Sequence, residues 1–147
     1  MVTYFIILLI IAVAVAPLAS ALPTKAQRRE ARLRSYASSL GLLIKLEPIP
    51  AIPPRLRYEP ASNLVAYRLR TSNVAEENSK QRLIVKLSEG WIDTETEREF
   101  LELATHNLAG AEIAVLDDGV ATIFWDERGD ETEVDELHRA LQDLLRL

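Results

Sequence analysis

Two histidines, His106 and His138, and 22 carboxylates are the side chains of this 147-residue chain that could move protons or hold a metal ion. The spacing of the histidines matches no metal-binding pattern, and each falls at the edge of an apolar helical stripe beside charged neighbours. A general acid paired with a general base needs only two suitably placed carboxyls, but among so many acids no pair stands out. Asp126, Arg128 and Asp130 have the look of a calcium loop. Gly129, however, precedes the third position, and no bidentate Glu follows at the required offset. A strand-to-helix turn bent at Gly129, with acids at the helix start, explains the same residues. The sequence holds no glycine-rich phosphate loop, no serine nucleophile elbow and no HExxH helix. It has no cysteine, so disulfides and thiolate chemistry are excluded, in accord with a reducing compartment. No catalytic, cofactor-binding or metal residue is assigned, and no cofactor is implied.

The chemistry that does stand out is electrostatic. Lys25, Arg28, Arg29, Arg32 and Arg34 form a cationic cluster immediately after an apolar segment, and these five residues are the candidate membrane-surface binding set. Residues 1–70 hold ten Lys/Arg against three Glu, a balance of +7, whereas residues 71–147 hold seven Lys/Arg against 19 Asp/Glu, a balance of −12. Each basic residue close to an anionic leaflet contributes about 1 kcal/mol of attraction, decaying within a Debye length. The expected partners of the basic half are the lipid bilayer and its anionic headgroups, with the acidic half held away. Nucleic acid is not an expected partner, because the distal half is acidic and the basic run lacks aromatics for base stacking.

These cations are positioned by the element before them. Residues 2–22 carry no charged side chain, and such a run spans roughly 30 Å as a helix, enough to cross a bilayer's hydrocarbon core. Tyr4 and Phe5 suit the far interface, and Pro17 is placed to kink the near end. Ala19-Ser20-Ala21 also fits a signal-peptidase site, which leaves a secreted periplasmic protein as an alternative; but Met1-Val2-Thr3-Tyr4 lacks the basic n-region of a signal peptide. Lys and Arg behind a span remain cytoplasmic, so the reading is a single-pass bacterial inner-membrane protein with its N-terminus outside and its C-terminal domain in the cytoplasm.

Beyond the span, Thr24 with Gln27 makes a capping box for a helix that ends near Leu40 and Gly41. Lys25, Arg28, Arg29 and Arg32 share one face of that helix, while Ala26, Leu33, Ala37 and Leu40 line another. Residues 42–46 suggest a short strand. Prolines at 48, 50, 53, 54 and 60 then predict a stiff extended spacer, and residues 50–55 match a PxxPxR groove ligand. Val65, Tyr67 and Leu69 alternate with Ala66, Arg68 and Arg70 as in a half-buried strand, and residues 82–87 repeat the pattern. The polar residues 71–80 between them read as a loop. Thr94 with Glu97 predicts a second capping box, opening a helix striped by Phe100, Leu103, Ala104 and Leu108 and stopped at Gly110. Asp117-Asp118-Gly119 between residues 111–116 and 120–125 is a strong hairpin signal. A last helix begins near Thr132, with Val134, Leu137, Leu141, Leu144 and Leu145 on its apolar face.

The expected organisation is a transmembrane anchor over residues 1–22, a basic juxtamembrane helix over 23–41, a strand and Pro-rich linker over 42–62, and an acidic α+β domain over 63–147. The fold class is α+β. In ββα-ββα order, a mostly antiparallel sheet of four strands, five with residues 42–46, packs on two helices. The anchor ending in Leu22-Pro23, the basic run over 25–34 and the small domain resemble the accessory subunit of the bacterial preprotein translocase. They also resemble small uncharacterised proteobacterial single-pass inner-membrane proteins, which the Trp125 to Gly129 stretch, Trp-Asp-Glu-Arg-Gly, is similar to. The subunit's Arg-Pro-Gln-Gln segment and Gly-rich strand motif are absent, and the resemblance implies no site residues. The functional expectation is a non-enzymatic docking or accessory subunit of a membrane complex, with a protein partner. The alternative is a membrane-tethered small-ligand binder or hydrolase, with acids converging on a pocket around Trp91 or Trp125.

Overall fold

A computed structural model describes residues 1–72 and 80–147, so the loop expected over 71–80 lies largely outside the described residues. The chain divides into two compact units, residues 1–31 and 32–147. In the first, helix α1 (Val2–Ser20) is the one helix among the described residues long and apolar enough to cross a membrane, and none of it is buried. It continues through Pro17 for one further turn, where Ser20 Oγ donates to the Pro17 carbonyl at 2.9 Å. The capping box that opens α2 (Lys25–Ser39) is present: Thr24 N–H donates to Gln27 Oε1 at 2.9 Å and Gln27 N–H to Thr24 Oγ1 at 3.2 Å. Gly41, at φ +86°, takes the left-handed conformation that ends it.

The second unit is α+β, built on one six-stranded sheet, more strands than the four or five expected. The strands are β1 (Leu43–Lys45), β2 (Val65–Arg70), β3 (Arg82–Leu87), β4 (Gly90–Asp93), β5 (Ala111–Asp117) and β6 (Val120–Trp125), and every adjacent pair is antiparallel. Their order across the sheet is β1-β2-β6-β5-β3-β4. Asp118 and Gly119, both at positive φ, close the β5–β6 hairpin, as Asp-Gly chemistry requires. The added strand, β4, pairs with β3. Its alternation is hidden in the sequence because one inward residue is the charged Asp93, buried beside the apolar Trp91.

The helix expected from Thr94 reduces to a single turn, α3 (Leu101–Ala104). Asp93, rather than Thr94, satisfies the free N–H groups here, accepting from Glu95 at 2.9 Å and Thr96 at 3.3 Å. Glu97 then turns left-handed at φ +55°, and the chain doubles back so that Phe100 N–H donates to the Trp91 carbonyl. Phe100, Leu103 and Leu108 still reach the core as their spacing predicts, although the element carrying them is mostly not helical. The last helix, α4 (Glu131–Leu144), opens with a full capping box between Asp130 and Glu133 and buries Val134, Leu137, Ala140, Leu141 and Leu144.

Each sheet face has its own apolar cluster. On one, Val65, Tyr67, Ala114, Ile123 and Trp125 pack with Leu33 and Ala37 of α2, Leu103 of α3 and the buried stripe of α4. Helix α2 is therefore part of the domain from Arg32 onward, and the compact unit begins well before residue 63. On the other face, Leu64, Ala66, Ile113, Val115 and Phe124 are covered by Ile49, Ile52 and Ala61. The Pro-rich segment is thus a lid over a sheet face rather than a spacer. Tyr58 OH and Ala61 N–H donate to Glu112, and Arg55 donates to the Thr94 carbonyl and pairs with Glu97 at 2.7 Å. Burial and the Glu112 carboxylate raise the Tyr58 phenol well above its ordinary pKa, so it remains a donor.

Candidate functional site

The structure separates the five candidate cations into two groups. Lys25, Arg28, Arg29 and Arg32 are exposed on α2, and none of their side chains has a hydrogen bond or ion pair among the described residues. Arg34 is engaged inside the domain: its Nε and Nη2 donate to the two Glu127 oxygens at 2.7 and 2.6 Å. Glu127 is 5% exposed and also accepts from Tyr67 OH at 2.7 Å. Burial, then the hydrogen bond to Glu127, push the Tyr67 phenol far above its usual pKa, keeping it protonated as a donor. One helical turn positions this difference, because Leu33 and Ala37 commit that side of α2 to the core and carry Arg34 with them.

Where the Pro-rich lid ends, the second sheet face opens into a cleft of about 440 Å³. Arg68 and Arg70 of β2 stand on one side of it and Asp117 of β5 on the other, with Val120 and Thr122 of β6 between them. Arg68 is fixed by Glu47 at 2.6 Å and by Thr122 Oγ1 at 3.2 Å. Arg70 and Asp117 have no side-chain partner among the described residues. Alternation along β2 is enough to put Arg68 and Arg70 on the polar side of a strand, but nothing local in the sequence connects them with Asp117. That connection rests on strand order, which alternation does not carry.

The histidines do not form a joint site. His106 follows α3 and lies between two carboxylates of α4, with Nδ1 at 3.3 Å from Glu136 and Nε2 at 2.9 Å from Asp143. His138 is half-buried on α4. Trp91 and Trp125 are core residues: the Trp125 indole N–H donates to the Ala109 carbonyl at 2.9 Å, and its ring meets Tyr67 edge-on at 5.4 Å. Asp126 accepts from Arg128 N–H and Asp130 caps α4, so both act in the turn expected of them. Gly129 is required there, since a Cβ would stand 2.8 Å from the Trp125 ring. Among the described residues, no three His, Asp or Glu side chains converge as a metal site. No protein-family model matches the chain, and no curated protein or solved structure matches it.

Proposed function

We propose that this chain is a single-pass bacterial inner-membrane protein whose acidic cytoplasmic domain serves as a non-enzymatic docking or accessory subunit of a membrane complex. The observation that carries the reading is α1 together with the cations behind it. A 19-residue apolar helix with no buried side chain has to find an apolar solvent outside the protein, and a bilayer is the solvent of matching thickness. Lys25, Arg28, Arg29 and Arg32 follow within one α-helical stretch, and cations so placed hold the downstream chain in the cytoplasm and bind anionic headgroups. Residues 32–147 hold 14 Lys/Arg against 21 Asp/Glu, and a net negative charge of this kind can steer the association of a protein partner.

Reporters fused to the C-terminus, each active on only one side of the membrane, test the topology. Activity of the cytoplasmic reporter alone is the expected outcome; activity outside, or a mature chain beginning at Leu22, overturns it. Docking is tested by mild crosslinking in cells. The full chain should capture a protein that a chain ending at Ala31 does not, and identical captures would overturn the docking role.

A further inference from the structure

We propose that the cleft beside the Pro-rich lid binds a small zwitterion with separated charges, of the chemical class of a short peptide with free termini. Three strands in register build the site. Arg70 lies opposite Val120, and Val120 lies opposite Asp117, so cation, apolar contact and anion form one row across the sheet. Neighbouring strands are about 4.8 Å apart, which puts the backbones carrying the two charges roughly 10 Å apart with Val120 between them. Neither charge has a partner among the described residues, and both line the cleft, Arg70 exposed and Asp117 half-buried.

The next row shows the cleft to be built rather than incidental. Arg68 lies opposite Thr122, which is opposite Val115. Glu47 and Thr122 hold Arg68 in place, so its guanidinium stands beside Arg70 without being free to swing across to Asp117. A carboxylate is thus received by Arg70 with Arg68 alongside, an ammonium by Asp117, and the body of the ligand by Val120 and the Thr122 methyl. The opposite signs at the two ends reject ligands bearing a single kind of charge. A volume of about 440 Å³ falls in the lower part of the range of small-molecule sites. The cleft would bind such a ligand on either side of a membrane.

Dialanine is a suitable probe, titrated against the full chain in detergent micelles while backbone amide resonances are followed by NMR. Saturable shifts are expected at Arg68, Arg70, Asp117 and Thr122, with a dissociation constant on the order of 1 mM. N-acetyl-dialanine and dialanine amide each lack one charge, and each should bind at least about tenfold more weakly. Arg70→Gln should weaken dialanine and remove its advantage over the amide, whereas Asp117→Asn should remove its advantage over the acetylated form. Binding of the analogues as tight as that of dialanine overturns the proposal, as do shifts confined to other regions or no saturation at on the order of 10 mM. Tighter binding of glycerophosphoethanolamine than of dialanine would assign the cleft to a lipid headgroup and overturn the peptide class. The analogue comparison uses the unmodified chain, so it stands even if a variant does not fold.

Discussion

At the residue scale, Glu127 joins three elements. It sits in the loop after β6 at φ +59°, and its carboxylate receives Arg34 from α2 and Tyr67 from β2. Removing one member of a buried pair leaves the other without compensation, at a typical cost of about 3 to 5 kcal/mol. The Arg34 side chain is 35% exposed and regains some hydration, so Glu127→Ala should lie near the lower end, about 3 kcal/mol, in urea unfolding. Glu127→Gln, which still accepts from Tyr67, should lose less. Asp93 gives the pH counterpart. Burial works to raise its carboxyl, but the Arg82 guanidinium and the N–H groups of Glu95 and Thr96 outweigh it and hold the pKa below the ordinary 3.8. With the folded value below the unfolded one, the carboxylate contributes in full above the unfolded pKa, and that contribution is lost as pH falls through the folded value. Wild type should therefore lose stability as acid is added below about pH 4. Asp93→Asn should be less stable at neutral pH and show a shallower acid limb in pH-dependent thermal melts.

At the element scale, the Pro-rich segment distinguishes a spacer from a lid. Residues of a spacer can be truncated at little cost, whereas Ile49 and Ile52 pack over Ala66, Ile113 and Phe124. The double variant Ile49→Ala/Ile52→Ala should lose about 2 to 4 kcal/mol and speed amide exchange in β5 and β6; an unchanged midpoint would restore the spacer. The difference shows where sequence patterning stopped. Prolines do exclude strand and α-helix over residues 48–60, leaving a single 3-10 turn at Pro54–Leu56, but a largely extended chain is equally suited to crossing solvent or lying on a sheet. What chooses between them is the apolar underside of β2, β5 and β6, visible only once strand order places Ala66, Phe124 and Ile113 side by side. Elements governed by local rules were legible: the Asp118-Gly119 turn, the Thr24 cap, the acidic start of α4 and its apolar stripe. The helix expected from Thr94 was not, because Asp93 competes for the same N–H groups and Glu97 turns away. Likewise Arg68 and Arg70 were legible as outward-facing, but not as one side of a cleft.

At the scale of the whole molecule, four cations and one clamp divide the work of a single helix. Lys25, Arg28, Arg29 and Arg32 are unpartnered among the described residues, so their charge is available for the orienting and headgroup-binding roles proposed above, whereas that of Arg34 is engaged by Glu127. The two roles separate by mutation. On the proposed topology, replacing the four free cations with Gln should remove on the order of 1 kcal/mol of headgroup attraction for each, along with the bias that would retain the domain in the cytoplasm. A measurable fraction of C-terminal reporter should then appear outside, with the unfolding midpoint of the domain unchanged. Arg34→Gln should do the reverse, leaving orientation as in wild type while lowering the midpoint, because a buried carboxylate loses its bidentate partner. If Arg34→Gln instead reorients the chain more than the fourfold variant does, charge position along α2 rather than charge availability governs the topology, and the division of labour fails.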